Sequence, residues 1–115
     1  MIGRTGAALA GLLMMMGAIA HADDIEGNWR TQSGDTAAIG GCGSGYCITL
    51  KTGKFAGRQI GNMAASGGGS YAGEITDPAT EKTYSGKATV SGTSMKMSGC
   101  MLGGLICKSQ TWKKM

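Results

Sequence analysis

The chain has 115 residues, among them 22 glycines and four cysteines, and a formal net charge of +4. Its one histidine, His21, falls in an apolar leader, so the remainder offers no imidazole for general-base or zinc-hydrolase chemistry. No dense basic stripe is interleaved with aromatics, which argues against nucleic acid as a partner.

Residues 1–22 read as a signal peptide. Arg4 gives a short basic start, residues 7–20 are apolar or small, and Ala20-His21-Ala22 is a small-x-small cleavage pattern ahead of Asp23-Asp24. The apolar run falls short of the roughly 20 residues of a comfortable membrane-spanning helix. Cleavage after Ala22 would deliver residues 23–115 across the membrane as a single domain. No later stretch is apolar enough to form an integral membrane span.

Beyond the leader, short strand-like segments alternate with glycine-rich turns. The first covers residues 25–31 around Gly27-Asn28-Trp29, and Ser33-Gly34-Asp35 turns the chain. Thr36–Cys42 follows, then the turn Gly43-Ser44-Gly45. Residues 46–52 place Tyr46, Ile48 and Leu50 on one face and Cys47, Thr49 and Lys51 on the other. Residues 53–69 fit a loop, a helical turn near Met63 or an irregular strand near residues 59–63. Residues 70–76 resume the pattern with Tyr71, Gly73 and Ile75 on one side, and Asp77-Pro78 ends it.

Lys82–Ser91 alternates most cleanly: Tyr84, Gly86, Ala88 and Val90 against Thr83, Ser85, Lys87 and Thr89. After Gly92-Thr93, Met95 and Met97 alternate with Ser94, Lys96 and Ser98, and residues 105–113 close the series. The expected fold is all-β: an antiparallel meander of about seven or eight short strands, closed or nearly closed into a small barrel. Closure would remove exposed strand edges. Inward Gly73, Gly86 and Ala88 would let a narrow barrel fill itself or leave room for a slim ligand.

A glycine-heavy chain of this size needs help to stay folded, since ordering each residue costs about 1–2 kcal/mol. Cys42, Cys47, Cys100 and Cys107 supply it if export exposes them to an oxidising compartment. Three pairings exist. Closeness along the chain favours Cys42–Cys47 and Cys100–Cys107, whereas loop entropy alone favours a long bridge, about 4 kcal/mol against 2–2.5. A four-thiolate zinc site is the remaining alternative, and its spacing is poor.

The ordered pieces Gly27-Asn28-Trp29, the Cys42-to-Cys47 stretch, Gly73-Glu74-Ile75-Thr76-Asp77-Pro78, Lys82-Thr83-Tyr84, Gly99-Cys100 and Cys107-Lys108-Ser109-Gln110 with Trp112 resemble a bacterial envelope family, domain of unknown function 2147. The resemblance implies a lipocalin-like small barrel exported to the periplasm by Gram-negative bacteria; no activity follows from membership. Three positions depart from the family pattern: Ile48 and Glu81 where glycine is usual, and Ala72 where an aromatic is common.

No catalytic constellation is expected. Glu74, Asp77 and Glu81 are neighbours in sequence, and Asp77 opens a turn that its own carboxylate can brace. Ser85 with Lys87, and Ser94 and Ser98 with Lys96, share polar strand faces. No metal site and no cofactor are expected. The leading function is non-catalytic binding of an apolar or amphiphilic envelope molecule, with Trp29, Tyr46, Tyr71, Tyr84 and Trp112 lining the barrel or its mouth. The alternative is a filled barrel serving as a structural or protein-interaction module through its basic end.

Overall fold

Eight strands follow one another round a closed barrel: β1 (Gly27–Arg30), β2 (Thr36–Cys42), β3 (Gly45–Leu50), β4 (Gln59–Gly67), β5 (Ser70–Asp77), β6 (Lys82–Ser91), β7 (Ser94–Met101) and β8 (Ile106–Lys114). Each strand pairs antiparallel with its neighbours in sequence, and β8 returns to β1. This computed structural model describes residues 24–115; the leader expected over residues 1–22 lies outside the described residues.

The alternation in the sequence sets the two faces. On β6, Gly86 and Ala88 are buried while Ser85, Lys87 and Thr89 are exposed. Trp29, Ala37, Ile39, Ile48, Met63, Tyr71, Met95 and Trp112 belong to one buried cluster. Burying each of the larger ones contributes about 1.5–3 kcal/mol. The outer face is polar, with Glu74, Lys87 and Lys96 on it. That is the reverse of a membrane-spanning barrel, which carries an apolar outer band. Among the described residues no helix is long and apolar enough to cross a membrane.

The ambiguous residues 53–69 resolve into a turn-containing loop followed by β4. Alternation fails there because β4 is bulged against β3: Ile48 faces Gly61 and Thr49 faces Gln59, leaving Ile60 as the extra residue. Ile60 and Gly61 are consequently both buried, and Ile60 points into the barrel.

Both local disulfides are formed. Cys42–Cys47 spans the β2–β3 turn with Cα atoms 5.8 Å apart, and Cys100–Cys107 joins directly opposed residues of β7 and β8 at 4.1 Å. Tight curvature is concentrated at glycine. A Cβ on Gly73 would run into the backbone carbonyl oxygen of Asn62 on β4. Only a residue without a side chain lets β4 fold over β5 so closely.

The barrel is sealed unevenly. β1 meets β8 at two rungs, Trp29 with Lys114 and Arg30 with Lys113. The chain then leaves for the β1–β2 turn, where the Gln32 side chain accepts a hydrogen bond from the Thr111 amide at 3.3 Å. Residues 106–110 of β8 continue past that point, paired with β7.

Candidate functional site

In an up-and-down barrel the odd-numbered connections share one end. Here these are the β1–β2 turn, the β3–β4 loop, the β5–β6 turn and the β7–β8 tip. A cavity of about 430 Å³ opens at this end. Its wall is apolar: Leu50 from β3, Ile60 from β4, Ile75 from β5, Tyr84 from β6, Met97 from β7 and Trp112 from β8. Phe55 enters from the β3–β4 loop. The volume lies within the range of about 300–1,000 Å³ usual for small-molecule sites.

The rim is polar. Thr31, Ser33 and Asp35 come from the first turn, Thr76 and Asp77 from the end of β5, and Lys108 and Gln110 from the last strand. Lys108, Gln110 and Trp112 alternate on β8, so the strand that contributes the deep indole also carries its polar mouth groups. The Trp112 indole N–H donates to the Gln110 side chain at 2.9 Å, which holds the ring's polar edge toward the mouth. Asp77 Oδ1 accepts the Ala79 amide at 2.9 Å, bracing the β5–β6 turn as expected.

An ion pair ties two of the mouth loops. Arg58 at the end of the β3–β4 loop donates two parallel hydrogen bonds of 2.9 Å to the Glu81 carboxylate in the β5–β6 turn. Hydrogen bonding to Arg58, then its charge, holds the Glu81 carboxyl below the usual carboxylate range, and the same pairing raises Arg58. Glu81 has a left-handed φ of 63°.

Of the five aromatics proposed from sequence, the structure brings Tyr84 and Trp112 to the cavity. Trp29 is fully buried in the core with its indole N–H on the Ile25 carbonyl at 2.9 Å. Tyr46 and Tyr71 pack edge to face, ring centres 5.8 Å apart. Tyr46 also borders a separate depression of about 200 Å³ beside Cys42, Asn62 and Ala72. Sequence reasoning missed Phe55, Lys108 and Gln110. The two β8 residues were accessible to the same alternation that placed Trp112. Phe55 had a fainter signal: a lone bulky aromatic in a polar, glycine-flanked loop has only the barrel end to cover.

The three acids that neighbour one another in the sequence are held in separate roles. Glu74 is exposed on the outer face, Asp77 braces its turn and Glu81 is engaged by Arg58. Ser85 and Lys87 are exposed outside the barrel, and the Ser94 hydroxyl receives the Lys113 ammonium on that outer surface at 2.6 Å. Among the described residues no group of three or more His, Cys, Asp or Glu residues could hold a metal ion.

The pattern of a family described as "Uncharacterized protein conserved in bacteria (DUF2147)" matches residues 48–114, more than half of the chain. The chain belongs to this family. The matched span of the DUF2147 barrel runs from β3 to the end of β8 and so contains most of the cavity wall and the second disulfide; the first disulfide and Trp29 precede it. No curated protein and no solved structure matches the chain.

Proposed function

We propose that this DUF2147 protein is exported to the periplasm with its signal peptide removed, and there binds a slim apolar or amphiphilic envelope molecule without altering it. The barrel would serve as lipocalins use theirs. The observation that carries this reading is the cavity itself: apolar walls from six strands and a loop, opening through a polar rim at one end. An acyl chain suits the walls, and a headgroup suits the hydroxyl, amide and charged groups at the mouth.

The test uses residues 23–115 with both disulfides intact and a brominated fatty acid, which quenches tryptophan only at contact. Part of the emission should be quenched saturably, because Trp112 lines the cavity and Trp29 does not. Trp112→Phe should abolish the quenching, and Tyr84→Ala should weaken binding by about tenfold. Absence of saturable quenching would turn the assignment toward a filled interaction module. Intact-mass analysis of protein from the periplasm tests export: the chain should begin at Asp23 and lack four thiol hydrogens.

A further inference from the structure

The β7–β8 connection contradicts the economy of the rest of the surface. Leu102, Leu105 and Ile106 are exposed by 67%, 85% and 46%. These three large apolar groups lie within five consecutive residues, joined by a short 3-10 turn over Leu102–Gly104.

The turn also holds Leu102 in a conformation that leucine resists. Leu102, Gly103 and Gly104 have φ values of 55°, 67° and 98°. Glycine takes such angles freely, and two of the three positions use it. At the third, a leucine stands in the left-handed region with its side chain in solvent, where glycine would cost less. The Cys100–Cys107 disulfide clamps the base of this turn. Strain maintained at an exposed apolar tip points to a use for that side chain.

The tip's position indicates the use. Ile106 lies two residues beyond Lys108 of the cavity rim, about 7 Å further along the strand. It has the same parity on β8 as Lys108, Gln110 and Trp112, so Ile106 lies on the cavity-facing side of the strand, beyond the rim. The surrounding charge is mostly cationic. At the open end Arg58 and Glu81 neutralise each other, and Arg30, Lys51, Lys54, Lys82 and Lys108 outnumber Asp35, Glu74 and Asp77.

We propose that Leu102, Leu105 and Ile106 form a wedge that inserts into the headgroup region of an anionic lipid bilayer and seats the open end of the barrel against it. The required depth, about 5–10 Å, is comparable with the rise of about 7 Å from Lys108 to Ile106. Cationic groups round the mouth provide the long-range attraction and the apolar tip provides the anchorage. Docking in this orientation would place the cavity mouth at the membrane surface. It requires only the exposed tip and the charged end, and stands whether or not the cavity takes a ligand.

Residues 23–115 with intact disulfides are sedimented with vesicles of phosphatidylcholine alone and of phosphatidylcholine mixed with phosphatidylglycerol. The protein should pellet with the anionic vesicles and be released by raised salt. Leu105→Ser should lower partitioning by about tenfold. Leu102→Gly should lower partitioning while raising thermal stability, a pair of effects that general unfolding would not produce. Near-ultraviolet circular dichroism confirms that the variants keep the fold. Wild-type protein left in the supernatant with anionic vesicles, or variants that pellet as well as wild type, overturn the proposal. So does a dimer broken by Leu105→Ser without vesicle binding, which would assign the tip to a second copy. Because sedimentation does not depend on Trp112 emission, failure of the cavity reading and failure of docking are separable.

Discussion

Trp29 and Lys114 stand opposite each other on β1 and β8, with the Lys114 ammonium 5.5 Å from the centre of the indole ring. The same ammonium donates to the Asp24 carbonyl at 3.0 Å. One contact therefore joins the first strand, the last strand and the segment before β1. Trp29→Ala should destabilise the protein by about 3–5 kcal/mol, a large share of the total for a small domain. Lys114→Met keeps the aliphatic stem and loses the cation, and should cost only about 0.5–1 kcal/mol. Urea denaturation of the two variants measures both.

The glycines are not interchangeable. Gly73→Ala forces a methyl group into the Asn62 carbonyl, which belongs to backbone and cannot swing aside. Gly86→Ala meets the end of the Met63 side chain at 2.7 Å, and that side chain can shift. Gly41→Ala meets nothing within 4 Å. The expected order of destabilisation is Gly73 well ahead of Gly86. Gly41→Ala should be neutral or slightly stabilising, by up to about 1 kcal/mol, through a less free unfolded chain. Thermal melts of the three variants establish the ranking.

Each disulfide closes a short loop, and the loop-entropy argument assigns each roughly 2–2.5 kcal/mol. Replacing Cys100 and Cys107 together by serine should lower stability by about that amount and loosen the Leu102–Gly104 turn. Replacing Cys42 and Cys47 should cost a similar amount and leave that turn unchanged. Denaturation midpoints and amide exchange at residues 102–105 distinguish the two variants.

The Arg58–Glu81 pair gives the mouth a pH dependence of known sign. Glu81 has a folded pKa below its unfolded value, so its contribution is present above the ordinary carboxylate range and is lost as pH falls through the lowered folded value. Arg58 is shifted upward, so its side of the pair persists across neutral pH and fails only in strong alkali. Both groups are solvent-exposed, and the effect is small and screened by salt. The melting temperatures of wild type and Glu81→Gln should differ at neutral pH and converge in acid.

Glu81 also allows a backbone test. At φ 63° a glycine is unstrained and an alanine is not. Both Glu81→Gly and Glu81→Ala lose the ion pair. The glycine variant should nevertheless melt a few degrees higher than the alanine variant, because it alone relieves the turn.

The sequence exposed the barrel where alternation was uninterrupted. The expected Lys82–Ser91 segment is β6, and the expected 70–76 segment is β5 less one residue. It left β4 as one of three readings, an irregular strand near residues 59–63, because a bulge is a relation between two strands and cannot be read from one alone. It placed the cysteine pairs by proximity while loop entropy pointed elsewhere; adjacency across the β2–β3 and β7–β8 connections decided the matter. The site was half legible. Alternation identifies Tyr84 and Trp112 as inward. Whether an inward ring lines a void or packs on another ring depends on its height in the barrel, as Tyr46 against Tyr71 shows. The departure of Glu81 from the glycine that the resemblance implies was also readable, and its φ of 63° lies in the left-handed region that favours glycine.

The two-rung closure between β1 and β8 contrasts with the eight rungs joining β5 to β6. Local opening should therefore start at the joint between the chain's first and last strands, with β1 amides exchanging fastest and β5–β6 amides last. Such a barrel can part along one staves' join while the opposite wall holds. The hydrogen bond from the Thr111 amide to the Gln32 side chain lies beside that join and should be among the first to break.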